Sequence, residues 1–111
     1  MACYSIDTPS VALELTELDP EKVVLGRPRV GFTEVPAPEG LEVGIWEHTV
    51  GTSRDVEDDE IFVVISGRGT LEVEDGPTLE LKPGSLVRLE AGCRTTWVVH
   101  ESLRKVWITR T

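Results

Sequence analysis

The sequence predicts an all-β domain, a sandwich or a closed barrel, on three observations. Apolar and β-branched residues recur in short runs with period two. Glycine and proline punctuate the gaps between those runs, and the helical signal is poor throughout. The chain has 111 residues with 10 glycines and 7 prolines, which suits one domain of many short strands and turns. No low-complexity tract, internal repeat or long linker divides it.

The elements follow in chain order. Residues 10–18 carry Val11, Leu13, Leu15 and Leu18 and read as a strand or an extended arm. Asp19-Pro20-Glu21-Lys22 reads as a turn, because proline presets the backbone angle a turn needs. Residues 29–34 form a short strand closed by Pro36 and Pro38. In residues 41–50, Leu41, Val43 and Ile45 share one parity and Gly44, Trp46 and His48 the other, the signature of a strand with two distinct faces. Ile61-Phe62-Val63-Val64-Ile65 reads as a strand buried on both faces, and Ser66-Gly67-Arg68-Gly69 as the turn after it. Residues 70–74 and 78–81 alternate on either side of Asp75-Gly76, a strong hairpin signal. Residues 86–89, 95–100 and 103–109 complete the set. Strand count and spacing alone leave a jelly roll and an immunoglobulin-like sandwich both open.

Composition excludes several functions. Eleven basic against twenty acidic residues give a net charge of −9. That field repels phosphate backbones and anionic lipids, so neither nucleic acid nor a membrane is an expected partner. No apolar run is long enough to span a bilayer. The start, Met1-Ala2-Cys3-Tyr4-Ser5-Ile6-Asp7, lacks the basic-then-apolar pattern of a secretory signal, so the cytoplasm is the expected location. Cys3 and Cys93 are far apart, show no C-x-x-C spacing and read as reduced thiols.

Two spacings choose the fold. Glu60 is followed after six residues by Gly67. Gly84 is followed after five residues by Glu90-Ala91-Gly92 and after two more by Thr95. Lys82-Pro83-Gly84 supplies a Pro-Gly entry to the second segment. Together these resemble the two motifs of the cupin superfamily, with Glu90 at the usual proline, Thr95 at a usual histidine and Val99 at a usual asparagine. The resemblance implies a double-stranded β-helix, a jelly-roll barrel. Residues 1–40 would then be an N-terminal extension with edge strands, and residues 41–111 the cupin core. A narrower resemblance is to the small cupins related to the (S)-ureidoglycine aminohydrolase cupin domain. It rests on Gly44-Ile45-Trp46-Glu47, residues 60–67, Ala91-Gly92-Cys93-Arg94-Thr95-Thr96-Trp97 and Glu101-Ser102-Leu103-Arg104-Lys105-Val106-Trp107.

Metal-dependent cupins resemble one another in setting three histidines and a glutamate inside the barrel. In this chain the first two slots fall on Ser53 and Asp55, or on Arg54 and Val56, and the last on Thr95. Only Glu60 remains, which is too few and too hard a donor set for a transition metal. No tightly bound metal or other cofactor is therefore expected; Glu60, Asp55 and His48 are the residues to test for one. His48 and His100 read as surface or hydrogen-bonded residues, and Glu47 and His48, adjacent on a strand, point to opposite faces. The acidic run Asp55-Val56-Glu57-Asp58-Asp59-Glu60 lacks calcium-loop spacing and reads as a solvated loop. Cys93 would need a depressed pKa to act as a nucleophile.

The resemblance turns Glu60 into the barrel. A carboxylate there needs a partner, and Lys105 is the first candidate, with Arg88 or Arg94 behind it. The expected ligand-binding residues are Trp46, Glu60, Arg94, Thr95, Trp97 and Lys105, with Trp107 as a further wall and Glu60 as the candidate acid or base. The expected function is binding of a small polar metabolite. The alternatives are an enzyme acting on a ureido, amino or sugar-acid compound and a non-catalytic dimerisation or regulatory module. A homodimer is expected, with the segment around Val11 to Leu15 as the exchanged or edge strand.

Overall fold

The computed structural model describes residues 3–111; residues 1 and 2, which open the segment read as lacking a signal, lie outside them. Nine strands form among the described residues: β1 (Thr16–Glu17), β2 (Val23–Leu25), β3 (Arg29–Val35), β4 (Leu41–His48), β5 (Gly51–Val56), β6 (Glu60–Val73), β7 (Thr78–Leu81), β8 (Leu86–Leu89) and β9 (Arg94–Arg110). All pairings are antiparallel. The all-β jelly-roll expectation holds.

The spine is a ribbon of the two longest strands, β6 and β9, paired from Ile61↔Ile108 to Val73↔Thr95. The ribbon folds in half. Its near half is flanked by β4, β3 and β1 on one edge and β8 on the other, and its far half by β5, β2 and β7. The fold lies where the register slips between Val64 and Gly69. Gly67 has φ 90°, and a Cβ there would sit 2.0 Å from the Ser102 carbonyl oxygen. Only glycine lets the two bent strands approach so closely.

That bend corrects two expectations. Ser66-Gly67-Arg68-Gly69 is a kink within one continuous strand, not a turn, and residues 95–100 and 103–109 are likewise one strand. Residues 61–65 are not buried on both faces: Phe62 and Val64 are 1% exposed, whereas Ile61 is 45% exposed. The polar strand β5 and the short β2 escaped the pattern. The Asp75-Gly76 hairpin forms, with Asp75 at φ 58°, a left-handed angle that Asp tolerates better than most side chains. Asp19-Pro20-Glu21-Lys22 becomes a 3-10 turn over Pro20–Lys22, with the Asp19 carboxylate accepting from Glu21 N–H.

The N-terminal arm, a 3-10 turn at Thr8–Ser10 followed by irregular chain, lies against its own barrel, with strand structure only at Thr16–Glu17. Val11 to Leu15 is thus not an edge strand. Arg104 donates to the carbonyls of Thr8, Pro9 and Val11, and Arg29 to that of Leu15. Gly31 admits the arm, since a Cβ there would meet the Glu14 carbonyl oxygen at 2.2 Å. Inside, Phe62, Val64, Leu71, Leu81, Val87, Leu89, Trp97, Val99 and Leu103 form the core. No helix among the described residues is long and apolar enough to cross a membrane.

Candidate functional site

Because β9 folds back near Glu101, residues equally far from that point face each other across the barrel. Trp97 and Lys105 are each four positions away. The Lys105 ammonium accordingly lies 4.7 Å from the Trp97 ring centre, 4.5 Å from that of Trp46 and 4.3 Å from that of Phe62. These are cation–π distances, each contact favourable by about 0.5–2 kcal/mol when desolvated. On its free side Lys105 Nζ meets Glu60 Oε2 at 2.6 Å. Both side chains are largely buried, at 6% and 11% exposure. Such a pair is poor proof of stabilisation, because desolvating two charges offsets their attraction.

A second carboxylate stands beside the pair. Glu57 follows β5, and its main chain is bonded at both ends to the 92–93 turn, N–H to the Cys93 carbonyl at 2.9 Å and carbonyl from Gly92 N–H at 2.8 Å. That clamp turns the side chain inward, where Glu57 is 8% exposed. Thr95 Oγ1 and Trp97 Nε1 both donate to its Oε2, the indole at 3.0 Å. Burial raises the Glu57 pKa above the usual carboxylate value, against the lowering pull of those two bonds and of Lys105.

These groups open into a cavity of about 320 Å³, lined by Phe32, Trp46, Asp55, Val56, Glu57, Asp58, Glu60, Trp97, Lys105 and Trp107. All three tryptophans of the chain are in this wall. Gly44 makes the room: opposite Trp107 in the register, it would place a Cβ 1.9 Å from the indole. Phe32 stands edge-on to Trp107 at 5.7 Å and is 63% exposed, an aromatic rim left uncovered.

The fold brings together Trp46, Glu60, Trp97 and Lys105 as expected, with Trp107. Thr95 stands one layer back, its hydroxyl committed to Glu57. Arg94 lies elsewhere: its side chain is 72% exposed, faces Glu74 at 3.8 Å and borders a different surface hollow. The reason is parity, since Arg94 sits one residue from the inward Thr95. Arg88 reaches the Glu60 main-chain carbonyl at 3.5 Å rather than its carboxylate. Sequence reasoning missed Glu57 by reading the whole acidic run as solvated. The available signal was Thr95 and Trp97, two inward donors two residues apart that require a buried acceptor.

The residues do not fit a metal. His48 is 1% exposed, with Nδ1 2.6 Å from the Thr49 carbonyl and Nε2 2.8 Å from Ser53 Oγ. Both nitrogens are therefore engaged; burial lowers its pKa, with Lys105 adding to the effect. Asp55 is held by Lys22 at 3.4 Å, and Glu60 by the Lys105 ammonium, which would repel a second cation. No group of three or more His, Cys, Asp or Glu among the described residues is arranged to hold an ion. Cys93 has its pKa raised, first by burial and then by Glu57, the opposite of an activated thiol.

A jelly-roll barrel closed by an apolar core, with a charged aromatic mouth, defines a single-domain cupin. The chain belongs to the family of EutQ-like cupin domains, whose pattern matches residues 37–107. Among solved structures it is similar to the Clostridium difficile EutQ protein, at 22% identity and TM-score 0.73 over 96% of this chain and 85% of that one. A putative ethanolamine utilization protein Q from Salmonella typhimurium matches at 18% identity and TM-score 0.66, covering 91% and 97%. Ectoine synthase from P. lautus matches at 17% identity and TM-score 0.67, covering 85% and 67%. At these identities the likeness shows the fold. No curated protein matches the sequence.

Proposed function

We propose that the chain is a small-molecule-binding cupin that holds a small polar metabolite in the barrel mouth without a tightly bound metal. One observation carries the reading. Glu57 and Glu60 each spend a single oxygen, Oε2, on protein donors, and both line the aromatic cavity. No protein donor is bonded to their remaining oxygens, which leaves them the capacity to accept from a ligand. An apolar wall with a few convergent polar groups is the usual make-up of a ligand pocket. Glu60 and Lys105 orient the ligand, and Trp46, Trp97 and Trp107 enclose it.

An enzymatic reading of the ureidoglycine aminohydrolase type has its own support. A carboxyl whose pKa is raised by burial, Glu57, lies beside Glu60, and unlike environments for two carboxyls suit proton donation and acceptance. A homodimer in the cytoplasm completes the proposal. Its support is an apolar band on the outer face of the near sheet, where Ile61, Leu86 and Ile108 are 45%, 74% and 43% exposed.

Thermal denaturation against a panel of small polar metabolites tests the binding reading. A ligand at about 100 times its Kd adds roughly 2.7 kcal/mol to the stability of the native state. Glu60→Gln is expected to remain folded and to lose that response. A folded Glu60→Gln variant that responds as the parent does contradicts the pocket assignment.

A further inference from the structure

The charge and shape of this cavity also select a class of ligand. We propose that it takes a small organic ammonium ion; the claim rests on the pocket reading above. Four carboxylates, Asp55, Glu57, Asp58 and Glu60, line the wall against the single cation Lys105. Asp55 is met by Lys22 and Glu60 by Lys105. Asp58 forms no ion pair among the described residues. Glu57, nine-tenths buried, lines the cavity, and both of its protein donors go to one oxygen.

The aromatic half of the wall agrees. Trp46, Phe62 and Trp97 already hold one primary ammonium, that of Lys105, at 4.3–4.7 Å. Trp46, Trp107 and the exposed Phe32 supply further aromatic surface to the cavity wall. An alkylammonium ion satisfies both halves, donating N–H bonds to the free carboxylate oxygens while its charge and methylenes lie on the rings. A carboxylate ligand would meet Asp58 and Glu60 at close range and cross the field of a protein of charge −9. A neutral ligand can donate a hydrogen bond to Asp58 but gains no charge–charge attraction from it. The cavity, about 320 Å³, admits only a compact ion.

Tryptophan emission reads the site directly, because all three indoles are in its wall. The probes are propylammonium chloride, 1-propanol and sodium propionate, with sodium chloride at matched ionic strength as the blank. Propylammonium is expected to give a saturable change that the other two do not. Asp58→Asn, at an exposed loop position where the fold is safe, is expected to weaken binding about threefold or more through loss of one carboxylate's attraction. Saturation by propanol or propionate instead of propylammonium overturns the ammonium assignment while leaving the pocket reading in place. Unchanged affinity in Asp58→Asn overturns recognition by the acidic rim. Silence from all three probes overturns the assignment too, and the metabolite thermal screen then decides separately whether the cavity binds anything.

Discussion

Arg104 and Lys105 are adjacent on β9 and face opposite ways, and each is bonded to a glutamate of the barrel. Outside, Arg104 Nε meets Glu47 Oε1 at 2.9 Å, and Nη1 reaches three carbonyls of the N-terminal arm. A planar guanidinium with fixed donors suits the fastening of main chain. Inside, Lys105 presents a point charge to one carboxylate and three rings, and both its carboxylate neighbours keep an oxygen free. The outer pair fastens the arm to the barrel and holds structure together. The inner pair is open on one side. Similar burial at the two sites thus conceals different uses, and the distinguishing mark is what each pair adjoins, main chain of the arm outside and a cavity inside.

The comparison breaks most visibly on the outer side. Arg104→Met strands Glu47 and the carbonyls of Thr8, Pro9 and Val11, and is expected to cost about 3–5 kcal/mol, as for other severed buried pairs. Chemical denaturation gives the loss, and limited proteolysis should cut the released arm while tryptophan emission of the folded state stays as in the parent. Lys105→Ala has the converse pattern. The cavity can rehydrate Glu60, so the expected loss is smaller, about 1–3 kcal/mol, and propylammonium should restore part of it by filling the vacated cage. An Arg104→Met variant rescued by the same ion would erase the distinction between the two sites.

Gly44→Ala tests the wall without touching a charge. The new methyl must displace the Trp107 indole, at a cost of about 1–3 kcal/mol for overpacking. A changed emission spectrum and weaker ligand response are expected with Glu60 and Lys105 intact.

The smallest effects are in pH. The Glu57 pKa is raised from 4.5, so the native state keeps a proton that the unfolded chain releases. Stability therefore falls as pH rises through the window above about 4.5, and the full cost persists beyond the folded value. Glu57→Gln, whose amide oxygen can accept from Thr95 and Trp97, should gain on the parent as pH rises through that window. His48 has the opposite sign: its pKa is lowered from 6.5, so stability falls as pH drops below 6.5, where the unfolded chain takes up a proton first. Denaturation of parent and Glu57→Gln at pH 5 and pH 8 separates the two.

The strands written in apolar residues were legible from the chain, as was the Asp75-Gly76 hairpin, because period-two burial and turn chemistry are local properties. β5 was not, since Gly51–Val56 is mostly polar and is held as a strand by pairing with Arg94–Val99, distant in the sequence. The glycines of residues 66–69 suggested a turn; they serve instead to let two strands bend together, which depends on the distant Ser102. In the site, Glu60 was legible through motif spacing, and Lys105, Trp46 and Trp97 through the segments that carry the narrower resemblance. Glu57 was not, because its burial is set by a main-chain clamp to Gly92 and Cys93 and by donors from Thr95 and Trp97.

The most direct measurement is the set of three indole N–H resonances in a two-dimensional proton–nitrogen spectrum, followed while propylammonium or a metabolite identified by thermal shift is added. An open inner pair predicts saturable movement of the Trp46 and Trp107 signals, with the Trp97 signal responding through its bond to Glu57. Three signals that stay fixed while a bound compound stabilises the protein would mean that binding occurs elsewhere and that Glu60 and Lys105 form a closed structural pair.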